Sequence, residues 1–236
     1  PLQRIHERLS HMAPLTIVKA IRSGSVTGLR LSEATTTSDA AAAQKIGHCP
    51  SCCATKTTKK RHARFRGAQK ARWPLDVIHC DLKTNLPLSL QGSRNLLVIV
   101  DECSRFSWCV GLKNKSDTAS AFDKFLNRLS SDARLHDVHG KRAWRVNVVR
   151  SDQGSEFTAK AFQNVLQKHK LEHRCSTIYT PSANGLVERW NRTIFTLANA
   201  NLSHASLTSP FWEHSVLYSC WCLNRVSRWE NSNVSP

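Results

Sequence analysis

The chain has 236 residues, enough for one large domain or for a medium domain with a small one. Its 34 Lys and Arg exceed its 17 Asp and Glu, and the net charge of +17 predicts a polyanionic partner; a basic soluble protein without one is the alternative. The sequence contains no run of 18 apolar residues, so no membrane span is predicted. Nine cysteines are scattered along the chain and no secretory leader is visible, which favours a reducing compartment over a disulfide scaffold.

The positive charge is unevenly distributed along the chain. Residues 1–72 carry 14 Lys and Arg against 3 Asp and Glu, whereas residues 73–236 carry 20 against 14. We therefore expect the first segment to offer the stronger phosphate-contacting surface and the second to retain acidic residues for a purpose.

Four residues near the N terminus form a candidate metal site. Two lie in the helical segment HERLSH and two in the CPSC of GHCPSCC. Two imidazoles and two thiolates suit a tetrahedral structural Zn²⁺. His48 and Cys53 are rival ligands, and incidental His and Cys residues are the alternative. The four candidates are His6, His11, Cys49 and Cys52.

Composition also predicts the structure of the other segments before residue 73. Residues 16–30 predict a helix that ends near Gly24 or Gly28, and the small polar residues 32–45 predict a mobile loop. Residues 56–72 hold eight Lys and Arg and no acid, which is typical of a solvated linker or of a segment that grips phosphates. Its candidate nucleic-acid contacts are Lys59, Lys60 and Arg61.

Three strands and a helix are predicted next. Residues 75–83 alternate, with His79 and Asp81 on one face, and residues 95–101 are apolar enough for a strand buried on both faces. Residues 105–112 predict the hairpin partner of that strand, and residues 117–129 predict a helix. We expect His79 to pack rather than contact substrate, and we expect Asp101 and Glu102 to form a hairpin rim without a catalytic role.

A second strand end carries Asp152. The apolar alternation before it predicts a strand, Gly154 makes the following turn, and Thr158 is a candidate cap for a helix over 159–169. Glu156 is a fourth acid within reach of Asp152; we place it at the surface or at a helix start, and a supporting role beside the metals is the alternative. The basic residues 130–145 predict a loop, and residues 171–178 predict the last strand.

A third acid, Glu188, lies on a predicted helix. The apolar residues at Val187, Trp190 and Ile194 have helical spacing, and Glu188 lies about 100° from that stripe, so we expect it to flank the core. Carboxylates from two strand ends and a helix can meet over one sheet edge. Mg²⁺ prefers carboxylate oxygens, and two such ions can activate an attacking oxygen and stabilise a leaving oxygen at a phosphodiester.

The motifs HCDL, LLVIVDECSRFSWCVGLKNKS, RSDQGSEF and TPSANGLVERWNRT, in this order, resemble the integrase core of copia-type LTR retrotransposons. The resemblance covers about residues 73–236, and the two His and two Cys upstream resemble the HHCC zinc module that precedes this core. It implies an α/β ribonuclease-H-like fold with a mixed five-stranded sheet flanked by helices. It also implies that Asp81, Asp152 and Glu188 are a catalytic, metal-binding DDE triad.

The resemblance also implies a function. The chain would be a polynucleotidyl transferase that processes element DNA ends and joins them to target DNA, using two Mg²⁺ or Mn²⁺ per active site and one structural Zn²⁺. Its partners would be double-stranded DNA, from element ends and target, and further copies of itself, with no membrane. It would act in the nucleus after a cytoplasmic particle stage. Asn184, Arg189 and Arg192 are the candidate DNA contacts beside Glu188.

The chain begins at Pro1 and ends at NSNVSP, which predicts a C-terminally truncated piece of a longer polyprotein. We divide it into a zinc-binding module at 1–55, a basic linker at 56–72 and a catalytic core at 73–236. The aromatic tail, residues 210–228, predicts packing on the core or on a neighbouring subunit. The alternative function is a degenerate or domesticated fragment that binds nucleic acid without catalysis.

Overall fold

The computed structural model describes residues 2–28, 49–55, 71, 73–132, 145–176 and 185–226. The chain divides into two compact units: Pro1–Ala63 together with Arg192–Pro236, and Arg64–Asn191. This division groups the tail with the N-terminal residues, unlike the boundaries drawn from sequence at 1–55, 56–72 and 73–236. Those boundaries stay a prediction.

The second unit is built on a mixed five-stranded sheet with the strand order β3-β2-β1-β4-β5. Strands β1 and β2 pair antiparallel, as do β2 and β3, whereas β1 pairs parallel with β4 and β4 pairs parallel with β5. The predicted mixed five-stranded sheet is therefore confirmed. The strands are β1 (Val77–Lys83), β2 (Asn95–Asp101), β3 (Ser107–Leu112), β4 (Val148–Ser151) and β5 (Glu172–Cys175).

Helices cover the sheet and continue the chain after it. A 3₁₀ turn, Lys115–Asp117, precedes the first of them. The predicted helix over 159–169 is present, but its N-cap is Ala159; the Thr158 hydroxyl instead donates to the Gly154 carbonyl at 3.2 Å, so the predicted cap is wrong. The helices are α4 (Thr118–Ser131), α5 (Ser155–Thr158), α6 (Lys160–Lys168) and α7 (Gly185–His204), the last of which continues into the first unit.

The core of the second unit lies between one sheet face and helices α4 to α6. Strand β2 is buried along its whole length, as its continuous apolar run predicts, because side chains on both of its faces are covered. Phe162 is fully buried, lies 5.0 Å from the Phe122 ring and meets Phe157 edge-on at 5.2 Å. The predicted apolar face of α4 is buried as well.

The first unit is helical. Ser10 is fully buried there; its hydroxyl lies 2.9 Å from that of Ser219, and the Asn201 amide donates to both hydroxyls. Trp212 of the tail is buried as predicted, whereas Trp221 is 49% exposed. The helices are α1 (Leu2–Arg8), α2 (Pro14–Arg22), α3 (Pro50–Thr55), the C-terminal part of α7, and α8 (Trp212–Val226) after a 3₁₀ turn at Ser209–Phe211.

Several predicted segments lie outside the described residues: the loop at 32–45, most of the basic run at 56–72, most of the loop at 130–145, and the turn-rich residues 179–184. His48 also falls outside them, as does the side chain of Cys53. Within the described ranges, no helix is both long enough and apolar enough to cross a lipid bilayer.

Replacing Phe162 with Ala is expected to lower the free energy of unfolding by about 3–5 kcal/mol, because the ring is fully buried among two other phenylalanines. Urea denaturation measures the change. Leu90→Ala is the control, since Leu90 is 59% exposed and its loss removes little buried surface. Equal destabilisation by both substitutions would contradict the described core.

Candidate active site and metal centre

Two acidic side chains are aligned at one edge of the sheet. Asp81 lies near the end of β1 and Asp152 directly follows β4. The parallel register pairs His79 with Arg150, so two residues further along each strand Asp81 and Asp152 are level with each other. Both carboxylates are half-buried. Side chains two residues apart on a strand share a face, so both lie on the face opposite the hydrophobic core.

Helix α7 brings the third acid to this edge. Glu188 lies in its first turn, and Asn191 follows three residues later on the adjacent turn. The Asn191 amide donates a short hydrogen bond to the Asp81 carboxylate, and Asn191 is only 8% exposed. Glu188 itself is exposed, so the expectation that it flanks the core is wrong: Val187 and Asn191 occupy the inward positions of this turn.

Asp81 lies close enough to the other two carboxylates for their negative charges to affect its pKa. Burial raises the pKa of Asp81, the negative charge of Asp152 raises it further, and that of Glu188 adds a smaller effect. The Leu82 backbone N–H and the Asn191 amide act in the opposite direction on the same pKa. Such a cluster of hard oxygen donors is destabilised by its own charge, and a divalent cation such as Mg²⁺ would relieve that repulsion.

Gly154 leaves space beside the Asp152 carboxylate. The Gly154 backbone N–H donates to Asp152 Oδ1 at 3.0 Å. A Cβ atom at Gly154 would lie 2.9 Å from the same oxygen and 2.9 Å from the Glu156 carboxyl, closer than real Cβ contacts. The absence of a side chain therefore keeps the Asp152 carboxylate accessible. Glu156 lies in the first turn of α5, as predicted.

A polar relay behind Asp152 fixes its backbone. Gln163 donates its side-chain N–H to His173 Nδ1 at 3.0 Å, so His173 Nε2 carries the proton that it donates to the Ser151 hydroxyl at 2.9 Å. The Ser151 hydroxyl in turn donates to the Asp152 carbonyl at 2.8 Å. Burial lowers the pKa of His173, which keeps the imidazole neutral and preserves this direction of donation.

A buried ionic cluster lies one row behind the two aspartates on the same sheet face. Glu102 Oε2 accepts hydrogen bonds of 3.0 Å from His79 Nε2 and from Arg150 Nη1, and the Ala71 backbone N–H reaches Oε1 at 3.3 Å. Burial alone would raise the pKa of Glu102, but His79 and Arg150 together hold it below its ordinary value. The cluster cross-links β1 and β4 next to the carboxylate pair.

Asp101 and Glu102 lie at the β2–β3 hairpin turn, as predicted, and both are buried there. Asp101 is 0% exposed; its carboxylate accepts hydrogen bonds from the Leu75 N–H at 2.8 Å and from the Ser104 N–H and hydroxyl at 2.6 Å each. Burial nevertheless raises the pKa of Asp101. The expected packing of His79 matches its 2% exposure.

In the first unit, the predicted zinc ligands come together. One ligand atom from each of the four side chains lies within 4.8 Å of all the others. Cys49 Sγ is 3.2 Å from His11 Nδ1, and Cys52 Sγ is 3.3 Å from His6 Nε2. An N···S separation of about 3.6 Å is expected around a tetrahedral Zn²⁺, given its usual bond lengths. The four are His6, His11, Cys49 and Cys52.

The His6 ring is oriented for ligation. His6 Nδ1 donates to the Met12 carbonyl at 2.8 Å, which leaves Nε2 as the lone-pair nitrogen directed at Cys52. A backbone carbonyl on the second ring nitrogen is the usual support of a metal-ligating histidine. His6 and His11 are buried at 2% and 0% exposure, so this part of the donor set can hold a metal ion away from solvent.

The predicted DNA contacts are only partly within the described residues. Arg189 and Arg192 are exposed on α7, whereas Lys59, Lys60, Arg61 and Asn184 lie outside the described ranges. Asn191, His173 and Glu102 had no assigned role in the sequence analysis. For Glu102 a signal existed in the sequence. His79 and Arg150 each precede an aspartate of the site by two residues, so pairing of their strands places two hydrogen-bond donors beside a buried acid.

Comparison with known proteins agrees with this architecture. Residues 66–181 match the Integrase core domain family. Three curated Pol polyproteins are similar to most of the chain: that of transposon RE1 from Arabidopsis thaliana (28% identity over 221 residues, 94% of this chain), that of transposon TNT 1-94 from Nicotiana tabacum (30% over 152 residues, 64%) and the Ty1-ML2 Gag-Pol polyprotein from Saccharomyces cerevisiae (26% over 233 residues, 96%). The chain spans only 13%, 11% and 12% of these polyproteins.

Two solved structures share the fold. One is the HTLV-2 integrase catalytic core domain in complex with magnesium, in a trimeric form, with a TM-score of 0.50 and 20% identity over 70% of this chain and 96% of that one. The other is a simian T-cell lymphotropic virus intasome in complex with PP2A regulatory subunit B56 gamma, with a TM-score of 0.56 and 17% identity over 92% of this chain and 72% of that one.

The sheet order and the flanking helices give the second unit the ribonuclease-H-like fold of these two integrases, which confirms the predicted fold class. Residues 66–181 match the integrase core domain, and the chain is similar to parts of the Pol polyproteins of LTR retrotransposons of the copia and Ty1 type.

Replacing Glu102 with Gln is expected to lower the free energy of unfolding by about 3 kcal/mol at pH 7, because Arg150 loses its buried counter-charge. The Glu102 pKa is lowered in the folded state, so its stabilisation is present above the unfolded pKa of about 4.3 and is lost as pH falls through the folded value. The deficit of the variant should therefore be constant from pH 8 to pH 5 and narrow below about pH 4.3.

Urea denaturation across this pH range measures the deficit. Glu172→Gln is the matched control, because Glu172 pairs with Arg174 on the surface and both side chains are at least half exposed. Its substitution should change stability much less than Glu102→Gln. A Glu102→Gln deficit that does not narrow at acid pH would refute the ionised cluster.

Proposed function

We propose that this chain is the catalytic part of a retrotransposon integrase, which cuts element DNA ends and joins them to target DNA. The observation that carries the proposal is geometric: Asp81 and Asp152 are level on the paired strands β1 and β4, and the Asn191 hydrogen bond to Asp81 brings the first turns of α7, with Glu188, to the same sheet edge. Three carboxylates at one sheet edge have little structural purpose without a cation, and their oxygens suit Mg²⁺ or Mn²⁺. The magnesium complex of the HTLV-2 integrase core, a protein with the same fold, supports this choice.

The reaction would proceed by two phosphoryl transfers. In the first, a water oxygen attacks a phosphodiester near the DNA end, and the bond to the leaving 3′-oxygen breaks to give a free 3′-OH. In the second, that 3′-OH loses its proton and attacks a target phosphodiester, whose own 3′-oxygen leaves and takes up a proton. Two divalent ions, when bound, would lower the pKa of the attacking oxygen and stabilise the charge on the leaving one.

Each side chain would contribute position and charge to these steps. Asp81 and Asp152 would hold the ions between β1 and β4, and Glu188 would complete one site from α7. Asn191 would keep one Asp81 oxygen fixed through its hydrogen bond. Most of the rate enhancement would come from alignment of the reacting oxygens and from charge stabilisation, as in other phosphoryl transfers.

The remaining expectations belong to the same proposal. His6, His11, Cys49 and Cys52 would hold one structural Zn²⁺, and Arg189 and Arg192 would contact phosphates next to Glu188. Double-stranded DNA would be the substrate, and the active form would be a homo-oligomer. Two proteins that share the fold, the trimeric HTLV-2 core and the simian intasome, support these expectations by analogy. The integration step would take place in the nucleus.

Replacing Asp152 with Asn is expected to reduce metal-dependent strand joining by at least about 10³-fold, since a neutral amide cannot replace a carboxylate beside a divalent ion. The assay measures Mg²⁺-dependent cutting and joining of a labelled DNA duplex. Asp132→Asn is the control, because Asp132 follows helix α4, whereas Asp81 and Asp152 lie at the ends of strands β1 and β4. Loss of activity in both variants would contradict the assignment.

The same assay separates catalysis from binding. If wild type and Asp152→Asn bind the duplex equally and neither cuts nor joins it, the chain is the non-catalytic nucleic-acid-binding fragment. Repeating the measurement on a longer polyprotein segment distinguishes an inactive site from a site that needs the rest of the protein.

Replacing Cys52 with Ser is expected to remove the bound zinc, one ion per chain in the wild type, and to lower the thermal stability of the helical unit, because a hydroxyl is a poor zinc ligand at neutral pH. Metal analysis by mass spectrometry and a thermal melt are the measurements. Cys175→Ser, at an exposed thiol on β5, should retain full zinc content. Unchanged zinc in Cys52→Ser would refute the four-ligand site.

A further inference from the structure

A cleft with three cations opens at the sheet edge that carries the aspartates. It has a volume of about 390 Å³ and includes the chain after β1, before β2 and after β3. Among the described residues, its polar lining consists of three cationic and three amide side chains and no acid. We call it the edge cleft. These residues are Arg94, Lys113, Lys115, Asn85, Asn95 and Asn114.

The cations of the edge cleft are available to a ligand. Arg94, Lys113 and Lys115 are exposed, and among the described residues none of them forms an ion pair with an acid. The nearest acid in sequence, Asp117, accepts the Asn114 backbone N–H at 2.9 Å and caps the 3₁₀ turn. Three unopposed positive charges around a concave surface favour an anion.

The walls of the edge cleft are held together by hydrogen bonds between chain segments. The Asn95 side-chain N–H donates to the Lys113 carbonyl at 3.1 Å, and the Arg94 backbone N–H donates to the Leu112 carbonyl at 3.0 Å. The Leu86 N–H donates to the Arg94 carbonyl at 3.0 Å. The backbone that carries the cations is therefore fixed before any ligand binds.

The register places the edge cleft near the carboxylates. Asp81 on β1 pairs with Val98 on β2, which pairs with Cys109 on β3. Arg94 precedes Val98 by four residues, and Lys113 follows Cys109 by four residues, both toward the edge cleft. At about 3.3 Å per residue and about 4.8 Å per strand, they are roughly 14–16 Å from Asp81. By alternation, Arg94 shares the sheet face of Val98 and hence of Asp81.

We propose that the edge cleft binds the backbone phosphates of double-stranded DNA, about four or five base pairs from the phosphodiester held at the carboxylates. The proposal rests on the proposed function for the position of that phosphodiester, and DNA rises about 3.4 Å per base pair. Lysine, arginine and asparagine side chains are common donors to phosphate oxygens, and such contacts set register without reading sequence. The cleft would therefore hold element and target duplexes alike.

The test is DNA binding by the whole chain, measured by fluorescence anisotropy of a labelled 20-base-pair duplex at several salt concentrations. The triple variant Arg94→Gln, Lys113→Gln and Lys115→Gln removes the three cleft cations. The matched control, Lys124→Gln, Arg128→Gln and Lys160→Gln, removes one Arg and two Lys that are exposed on α4 and α6. Both triples change the net charge equally.

The cleft triple is expected to bind DNA at least 10-fold more weakly near 0.1 M salt. Its slope of log Kd against log salt should fall by about 2 to 3, because each lost phosphate contact removes about 0.9. The control triple should change the slope by less than about 1. If a triple variant does not fold, the single variants Lys113→Gln and Lys124→Gln are measured in parallel. The slope of log Kd against log salt should then fall by about 1 for Lys113→Gln and stay unchanged for Lys124→Gln.

Equal weakening by both triples, or by both single variants, would overturn the proposal, since it would reflect net charge alone. Wild-type binding by the cleft variants would overturn it too. These outcomes are separable from failure of the proposed function, which the Asp152→Asn strand-joining assay measures. Element-end and unrelated duplexes should lose affinity by the same factor; loss confined to one of them would exclude the sequence-independent backbone contact.

Discussion

The parallel pairing of β1 with β4 is the constraint on which the site depends. It sets Asp81 level with Asp152, although 70 residues separate them in sequence. Two carboxylates in this arrangement repel each other, and burial of Asp81 increases the cost, as the raised pKa of that residue reflects. The pairing must therefore be stabilised by interactions elsewhere that exceed this repulsion.

Those interactions lie immediately behind the carboxylates. On one side, Glu102 binds His79 and Arg150 at 3.0 Å each and so connects the two strands with opposite charges. On the other, the buried strand β2 and the aromatic cluster of Phe122 and Phe162 cover the opposite sheet face. The site thus combines an apolar half, buried in the core, with a polar half that holds the carboxylates and the Glu102 cluster. A repulsive cluster persists in such a frame because the surrounding interactions stabilise the fold by more than the repulsion costs.

Positive charge is distributed around the acidic centre rather than within it. Arg189 and Arg192 are exposed on the helix that carries Glu188. The edge cleft adds three cations where β1 ends, β2 begins and β3 ends. An acidic centre alone would repel a polyanion. In the proposed function, these cations would give a DNA duplex affinity and orientation, while the carboxylates would bind divalent ions at the reacting phosphate.

The amino-acid sequence alone determined the local elements and the family motifs. Continuous apolar runs such as β2, helical periodicity such as α4, and the order of three acids and four metal-ligand candidates are properties of short segments, and short segments are what composition and spacing describe. The tertiary structure decided what depends on distant partners. Glu102 was expected on a rim and is buried because it meets His79 and Arg150 from two other strands, and Asn191 acquired a role only because helix α7 lies against the end of β1. Strand register and helix docking place such groups together, and neither is encoded in the spacing of neighbouring residues.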